Sequence, residues 1–87
     1  MEDDQLSYVM AGGRRQDVLL CLAQEKGTIA GVARRLDVHA LLLYNTFAGL
    51  VRHNLIAHNN VTRFRIYHIT EDGLDVLKYM GVIKWIL

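Results

Sequence analysis

Five arginines, Arg34, Arg35, Arg52, Arg63 and Arg65, share a segment whose lone acid is Asp37. A guanidinium is always charged and offers a planar fork of N–H donors. Arginines at this density therefore suit the oxygens of phosphate. An ordinary solvated surface carries the same residues, and charge alone leaves both readings open. The chain as a whole is nearly neutral, with a formal net charge of +1. Its acids gather at Glu2, Asp3 and Asp4 and again at Glu71, Asp72 and Asp75. Four histidines, His39, His53, His58 and His68, match no zinc spacing and have no second ligand type beside them, so no metal site is expected. The single cysteine, Cys21, excludes an intrachain disulfide and lies in an apolar helical run, where a free thiol packs as a small hydrophobe. There is no glycine loop to cradle a phosphate, no pair of carboxylates in a pocket and no nucleophile beside an identifiable base. These residues point away from an enzyme or a bound cofactor, and toward binding.

Such residues need a scaffold to hold them. A chain of 87 residues is expected to form one compact domain. Hydrophobic residues make up 52% of it, far from the signature of disorder, so a packed core is expected. No apolar run approaches the roughly 20 residues of a membrane span. The acidic opening Met1-Glu2-Asp3-Asp4 is unlike a secretory signal. Together these predict a cytoplasmic protein.

Proline is absent, so glycine and asparagine carry the punctuation. Ser7 to Met10, just before Gly12-Gly13, reads as a short strand. From Arg14 the pattern turns helical, with Val18, Leu19, Leu22 and Ala23 on one face and Leu20 and Cys21 widening it. Lys26-Gly27 predicts its end, with the glycine as a left-handed cap. Thr28 is a good N-cap for a two-turn helix that turns Ile29, Val32, Ala33 and Leu36 inward and Arg34 and Arg35 outward. Asp37-Val38-His39 interrupts it. A longer helix from Ala40 to about His53 follows, with Leu43, Phe47 and Leu50 on its core face. Leu55-Ile56-Ala57, a turn at Asn59-Asn60 and a strand from Arg63 to Ile69 read as a hairpin. Both faces of that second strand carry apolar residues, which leaves its inward side open. Thr70 caps a last helix with Glu71 and Asp72 in its first turn and Leu74, Leu77 and Val76 toward the core. The expected fold is α+β, mainly α: a short strand, three helices, a two-stranded wing and a C-terminal helix. It divides into an acidic segment at 1–6, a winged helix-turn-helix domain at 7–80 and an apolar segment at 81–87.

In a helix-turn-helix, the first helix braces the second so that its exposed side meets the major groove. A hairpin directly after the second helix is a wing that reaches flanking phosphates or the minor groove. The run Val32-Ala33-Arg34-Arg35-Leu36-Asp37-Val38-His39 resembles the brace helix and turn of winged helix regulators. Phe47, Leu50 and Leu55-Ile56 sit where those proteins place the second-helix core and the first wing strand. Arg65-Ile66-Tyr67-His68-Ile69-Thr70-Glu71-Asp72-Gly73, with Val76-Leu77, is similar to the wing-to-last-helix segment of many archaeal regulators. Those belong to the broad class related to the arsenic-responsive and multiple-antibiotic-resistance repressors. Tyr8-Val9-Met10 with Arg14-Arg15 and Val18-Leu19 is similar to their opening.

The resemblance runs from about Ser7 to Leu77 and implies double-stranded DNA binding and transcriptional regulation. The DNA-facing positions of that class fall here on His39, Leu41, Leu42, Tyr44 and Asn45. The wing supplies Asn59, Asn60, Thr62, Arg63 and Arg65. Thr28 opens the brace helix, where backbone N–H groups meet a phosphate, and Arg35 lies outward on that helix. Three departures stand out. Asp37 occupies the turn position usual for glycine. Gly49 sits inside the second helix at a cost of about 1 kcal/mol relative to alanine, which marks close packing. Leu41 and Leu42 stand where polar residues are favoured. A leucine touches a thymine methyl but reads no donor or acceptor, so these two suit a groove and a protein interface equally. Tyr44 is expected half-buried.

Gly81 is followed by Val82, Ile83, Trp85, Ile86 and Leu87, broken only by Lys84. An apolar patch of this kind is expected to pair with a second copy, giving a homodimer that meets two half-sites, or to fold back on the first long helix. Two further readings stay open: a protein-binding module using Leu41 and Leu42, and an architectural DNA binder held by phosphate contacts without base readout.

Overall fold

The computed structural model describes residues 2–60 and 63–82. Helices α1 (Asp3–Met10), α2 (Gly13–Gln24) and α3 (Ile29–Leu36) are followed by a short 3-10 helix (Ala40–Leu42) and α4 (Tyr44–Arg52). Strands β1 (Ile56–Asn59) and β2 (Ile66–Ile69) then lead into α5 (Glu71–Tyr79). Thr62, Ile83, Trp85, Ile86 and Leu87, singled out from the sequence, lie outside the described residues.

The opening is a helix, not the strand expected from Ser7 to Met10. An isolated strand there would leave its backbone groups without a ladder partner, whereas a helix satisfies them within itself. Gln5 decides where that helix docks. Its Oε1 accepts the backbone N–H of Glu2 at 2.8 Å, while its Nε2 donates to the carbonyl of His53 at 2.8 Å and to Asp72 Oδ2 at 2.9 Å. One buried amide thus ties α1 to the end of α4 and the start of α5. Helix α1 runs through the boundary placed at residue 6.

Three helices stop by the same device. Asp37, Asn54 and Gly81 all take left-handed backbone, with φ of 57°, 58° and 74°. In each case the next N–H reaches back five residues: Val38 to Ala33, Leu55 to Leu50 and Val82 to Leu77, at 3.0, 2.9 and 3.1 Å. This is the Schellman motif, which satisfies carbonyls a helix end leaves orphaned. Aspartate and asparagine tolerate left-handed backbone better than other residues with a β-carbon, so Asp37 stands in for the usual glycine. Gly27 does not serve this way. Helix α2 ends at Gln24, its Glu25 cap is extended, and Gly27 instead forms an antiparallel bridge with Tyr67.

Thr28 and Thr70 cap α3 and α5, their hydroxyls accepting the N–H of Gly31 at 3.0 Å and of Gly73 at 3.1 Å. The core lies where α2, α3, α4 and α5 meet, built from Val18, Leu19, Val32, Leu43, Phe47, Leu50, Val76 and Leu77. Cys21 belongs to it, and burial pushes its thiol pKa up, so the thiol stays protonated. Strands β1 and β2 pair antiparallel from Ile56 with Ile69 to Asn59 with Ile66. Tyr67 settles which side of β2 faces inward: it is buried with its ring 4.7 Å from Phe47, edge to face. Gly27 flanks β2 on its other edge through bonds of 3.0 and 2.8 Å.

Asp72 titrates as part of this framework. Hydrogen bonds from Gln5 and Asn54 hold its carboxyl below the usual value for aspartate. A group lowered in the folded state contributes stability that is full above its unfolded pKa near 4 and is lost as pH falls through the folded value. The stability difference between the wild-type chain and Asp72→Asn should therefore shrink as pH is lowered from about 5 toward 2. Urea unfolding at a series of pH values measures it, and a difference constant with pH contradicts this role.

Candidate nucleic-acid interface

The expected single helix from Ala40 to His53 is divided. Ala40–Leu42 is 3-10, with Leu43 at φ −102° and ψ −12° joining it to α4. His39 caps the short turn, its Nδ1 accepting the N–H of Leu41 at 3.2 Å. Leu43, Phe47 and Leu50 anchor the inner side. Leu41, Tyr44, Asn45, Ala48 and Arg52, spaced by three and four residues, are exposed and form the outer side, with Leu42 also exposed. Tyr44 is 53% exposed and lines a cleft, which matches the partial burial expected of it.

Gly49 has a packing reason. A β-carbon there would sit 1.7 Å from the Tyr8 hydroxyl. The Tyr8 ring stacks on His53 at 3.8 Å, Arg15 covers its other face at 3.8 Å, and His53 Nδ1 lies 2.8 Å from the Gly49 carbonyl. This stack braces the end of α4 against α1 and α2.

A cleft of about 560 Å³ opens between the outer side of α4, the start of α3 and the wing. Thr28, Ile29, Tyr44, Ala48, Val51, Arg52, His58, Phe64, Arg65 and Tyr67 line it. Its walls are largely apolar, and its charges are two guanidinium groups facing it from different elements. Neither Arg52 nor Arg65 has a protein acceptor among the described residues. His58 Nδ1 is enclosed without a hydrogen-bond partner. The nine acids of the chain fall on α1 and Glu2, on α2 and Glu25, at Asp37 and on α5; none occurs from Val38 to Thr70. The second half of the helix-turn-helix and the whole hairpin are thus free of negative side chains.

The residues chosen from the sequence divide between this cleft and the surfaces beside it. Tyr44, Thr28 and Arg65 line the cleft; His39, Leu41, Leu42 and Asn45 lie on or before the outer side of α4. Asn59, Asn60 and Arg63 are exposed on the wing. Arg35 is not brought to the cleft. Its guanidinium donates to the carbonyls of Cys21 at 2.9 Å and Glu25 at 3.3 Å, closing the end of α2. Arg52 was counted with the basic segment but not placed on this surface. Its spacing carried the signal, since it lies four residues beyond Ala48 and seven beyond Asn45.

Among the described residues, no three His, Cys, Asp or Glu side chains gather as a metal site, and no helix is long and apolar enough to cross a membrane.

No protein-family model and no curated protein matches the chain. Solved structures do. Lactococcus lactis ZitR, described as a zinc-responsive MarR family member, aligns with a TM-score of 0.69 at 24% identity, over 79% of this chain and 50% of ZitR. A ZitR mutant solved in complex with DNA aligns with a TM-score of 0.71 at 22% identity, over 79% of this chain and 49% of its own. A complex structure of hsRosR-S4 aligns with a TM-score of 0.74 at 21% identity, over 85% of this chain and 69% of its own. The chain spans about half the length of the ZitR structures. Brace helix, turn, outward-facing helix, hairpin and closing helix follow one another here as in these neighbours, and the fold is a winged helix-turn-helix.

Proposed function

We propose that this chain is a transcriptional regulator that binds double-stranded DNA, with α4 in the major groove and the wing against flanking phosphates. One observation carries this reading. Within the acid-free stretch from Val38 to Thr70, the outer side of α4 and the wing border one cleft that Arg52 and Arg65 both line. A DNA strand presents alternating apolar sugar faces and charged phosphates, and a cleft with apolar walls and guanidinium edges complements both. A neighbour of this fold solved in complex with DNA supports the same reading. Thr28, His39, Tyr44, Asn45, Asn59, Asn60, Arg63 and Arg65 are proposed contacts, joined by Arg52; Arg35 is assigned to closing α2. The sequence of residues 82–87 supports a homodimer, which would present two reading helices to two half-sites.

Fluorescence anisotropy with a mixed-sequence duplex across a salt series tests the reading. Counterion release predicts a log–log slope of about −3.6 or steeper when at least four phosphates are neutralised. Absence of binding at low salt rejects it. The exposure of Leu41 at 69% and Leu42 at 54% would then favour the second reading, a docking surface for another protein.

A further inference from the structure

The outer side of the reading helix opens on two exposed leucines, just ahead of Tyr44 and Asn45. In helix-turn-helix proteins the N-terminal part of the second helix meets the base edges. Here that part presents Leu41 and Leu42, 69% and 54% exposed, and Ala48 follows one turn beyond Asn45. Arg52 lies at the far end of the helix, where it lines the cleft together with Phe64 and Arg65. Leucine has no donor or acceptor. The one feature of the major groove that a hydrocarbon side chain recognises is the C5-methyl of thymine. The surroundings argue for this occupant over an apolar protein groove. The leucines are followed by Tyr44 and Asn45 on the same exposed side and lie in a sequence without an acid from Val38 to Thr70. That frame complements a polyanion carrying isolated methyl groups.

We propose that Leu41 and Leu42 seat thymine C5-methyl groups, so that the chain selects DNA by its pattern of methyls more than by hydrogen bonds. This rests on the DNA-binding reading above and specifies what the helix reads. Each seated methyl contributes about fourfold in affinity, the value of one buried methyl-sized group.

The test compares an alternating A·T duplex with the same duplex carrying deoxyuridine for every thymidine. Only the C5-methyl is lost, and every register of the repeat presents methyls, so no operator need be known. The full chain should bind the deoxyuridine duplex about sixteenfold more weakly, with the salt slope unchanged because the phosphates are the same. An alternating G·C duplex should gain a similar factor when its cytosines carry a 5-methyl group. In the Leu41→Ala/Leu42→Ala variant the thymidine and deoxyuridine duplexes should bind alike. Both sites are exposed and alanine favours helix, so the fold is retained, which circular dichroism checks. Equal binding of the two duplexes by the wild-type chain, or a preference that survives in the variant, overturns methyl reading and leaves DNA binding standing. Failure to bind either duplex at low salt overturns both.

Discussion

Alanine at position 73 is expected to destabilise the domain by about 3 kcal/mol, the upper part of the usual overpacking range. For a domain of this size that lowers the melting temperature by about 15 °C. A β-carbon on Gly73 would lie 2.3 Å from the Leu55 carbonyl oxygen and 2.6 Å from Ile69 Cγ1. The carbonyl is fixed backbone at the start of the wing, and it already accepts the N–H of Thr70 at 3.1 Å. Relief therefore requires α5 to move away from the hairpin. The better helix propensity of alanine returns about 1 kcal/mol and does not balance the collision. Gly49→Ala makes a useful contrast, because its nearest obstacle is the Tyr8 hydroxyl at the tip of a side chain. Tyr8 can yield by giving up part of its stack on His53 and Arg15 without moving backbone, so Gly49→Ala should cost less than Gly73→Ala. Thermal unfolding followed by circular dichroism ranks the two, and equal stabilities would contradict the backbone argument.

The largest effect on binding is expected from Arg52→Ala combined with Arg65→Ala. A charge-assisted hydrogen bond to phosphate is worth about 1.5 kcal/mol or more, so each arginine should carry about tenfold in affinity and the pair about a hundredfold. Each should also reduce the salt slope by about one, equally on every DNA sequence. Arg35→Ala provides the control. Its guanidinium serves the carbonyls of α2, so its loss should weaken folding while leaving the salt slope intact. A double variant with unchanged affinity and slope would remove the cleft from the DNA interface.

Where structure is set by neighbours in sequence, it was legible. Thr28 and Thr70 cap their helices, Asp37 turns left-handed between brace and reading helices, and Leu43, Phe47 and Leu50 face inward, all as their types and spacing indicate. Where a partner lies far along the chain, it was not. Gln5 gains its role from His53 and Asp72, 48 and 67 residues away, so nothing local to Ser7–Met10 announces a helix. Gly27 reads locally as a helix terminator, but its backbone is claimed by Tyr67. The asparagine that takes left-handed backbone at a helix end is Asn54, not a member of the Asn59-Asn60 pair picked for the hairpin turn. The candidate site divides the same way. The outward residues of the reading helix follow from periodicity, whereas the cleft needs the wing folded back beside Arg52 before Arg65 can face it.

The bridge between Gly27 and Tyr67 changes what kind of object the wing is. With β1 on one side and the α2–α3 connection on the other, the middle of β2 is a central strand, and its motion is tied to the entry of the brace helix. This part of the wing is already ordered before any partner arrives. Docking therefore forfeits less conformational entropy than a free-hanging hairpin would, and rigidity becomes a source of affinity that no contact with the partner reveals.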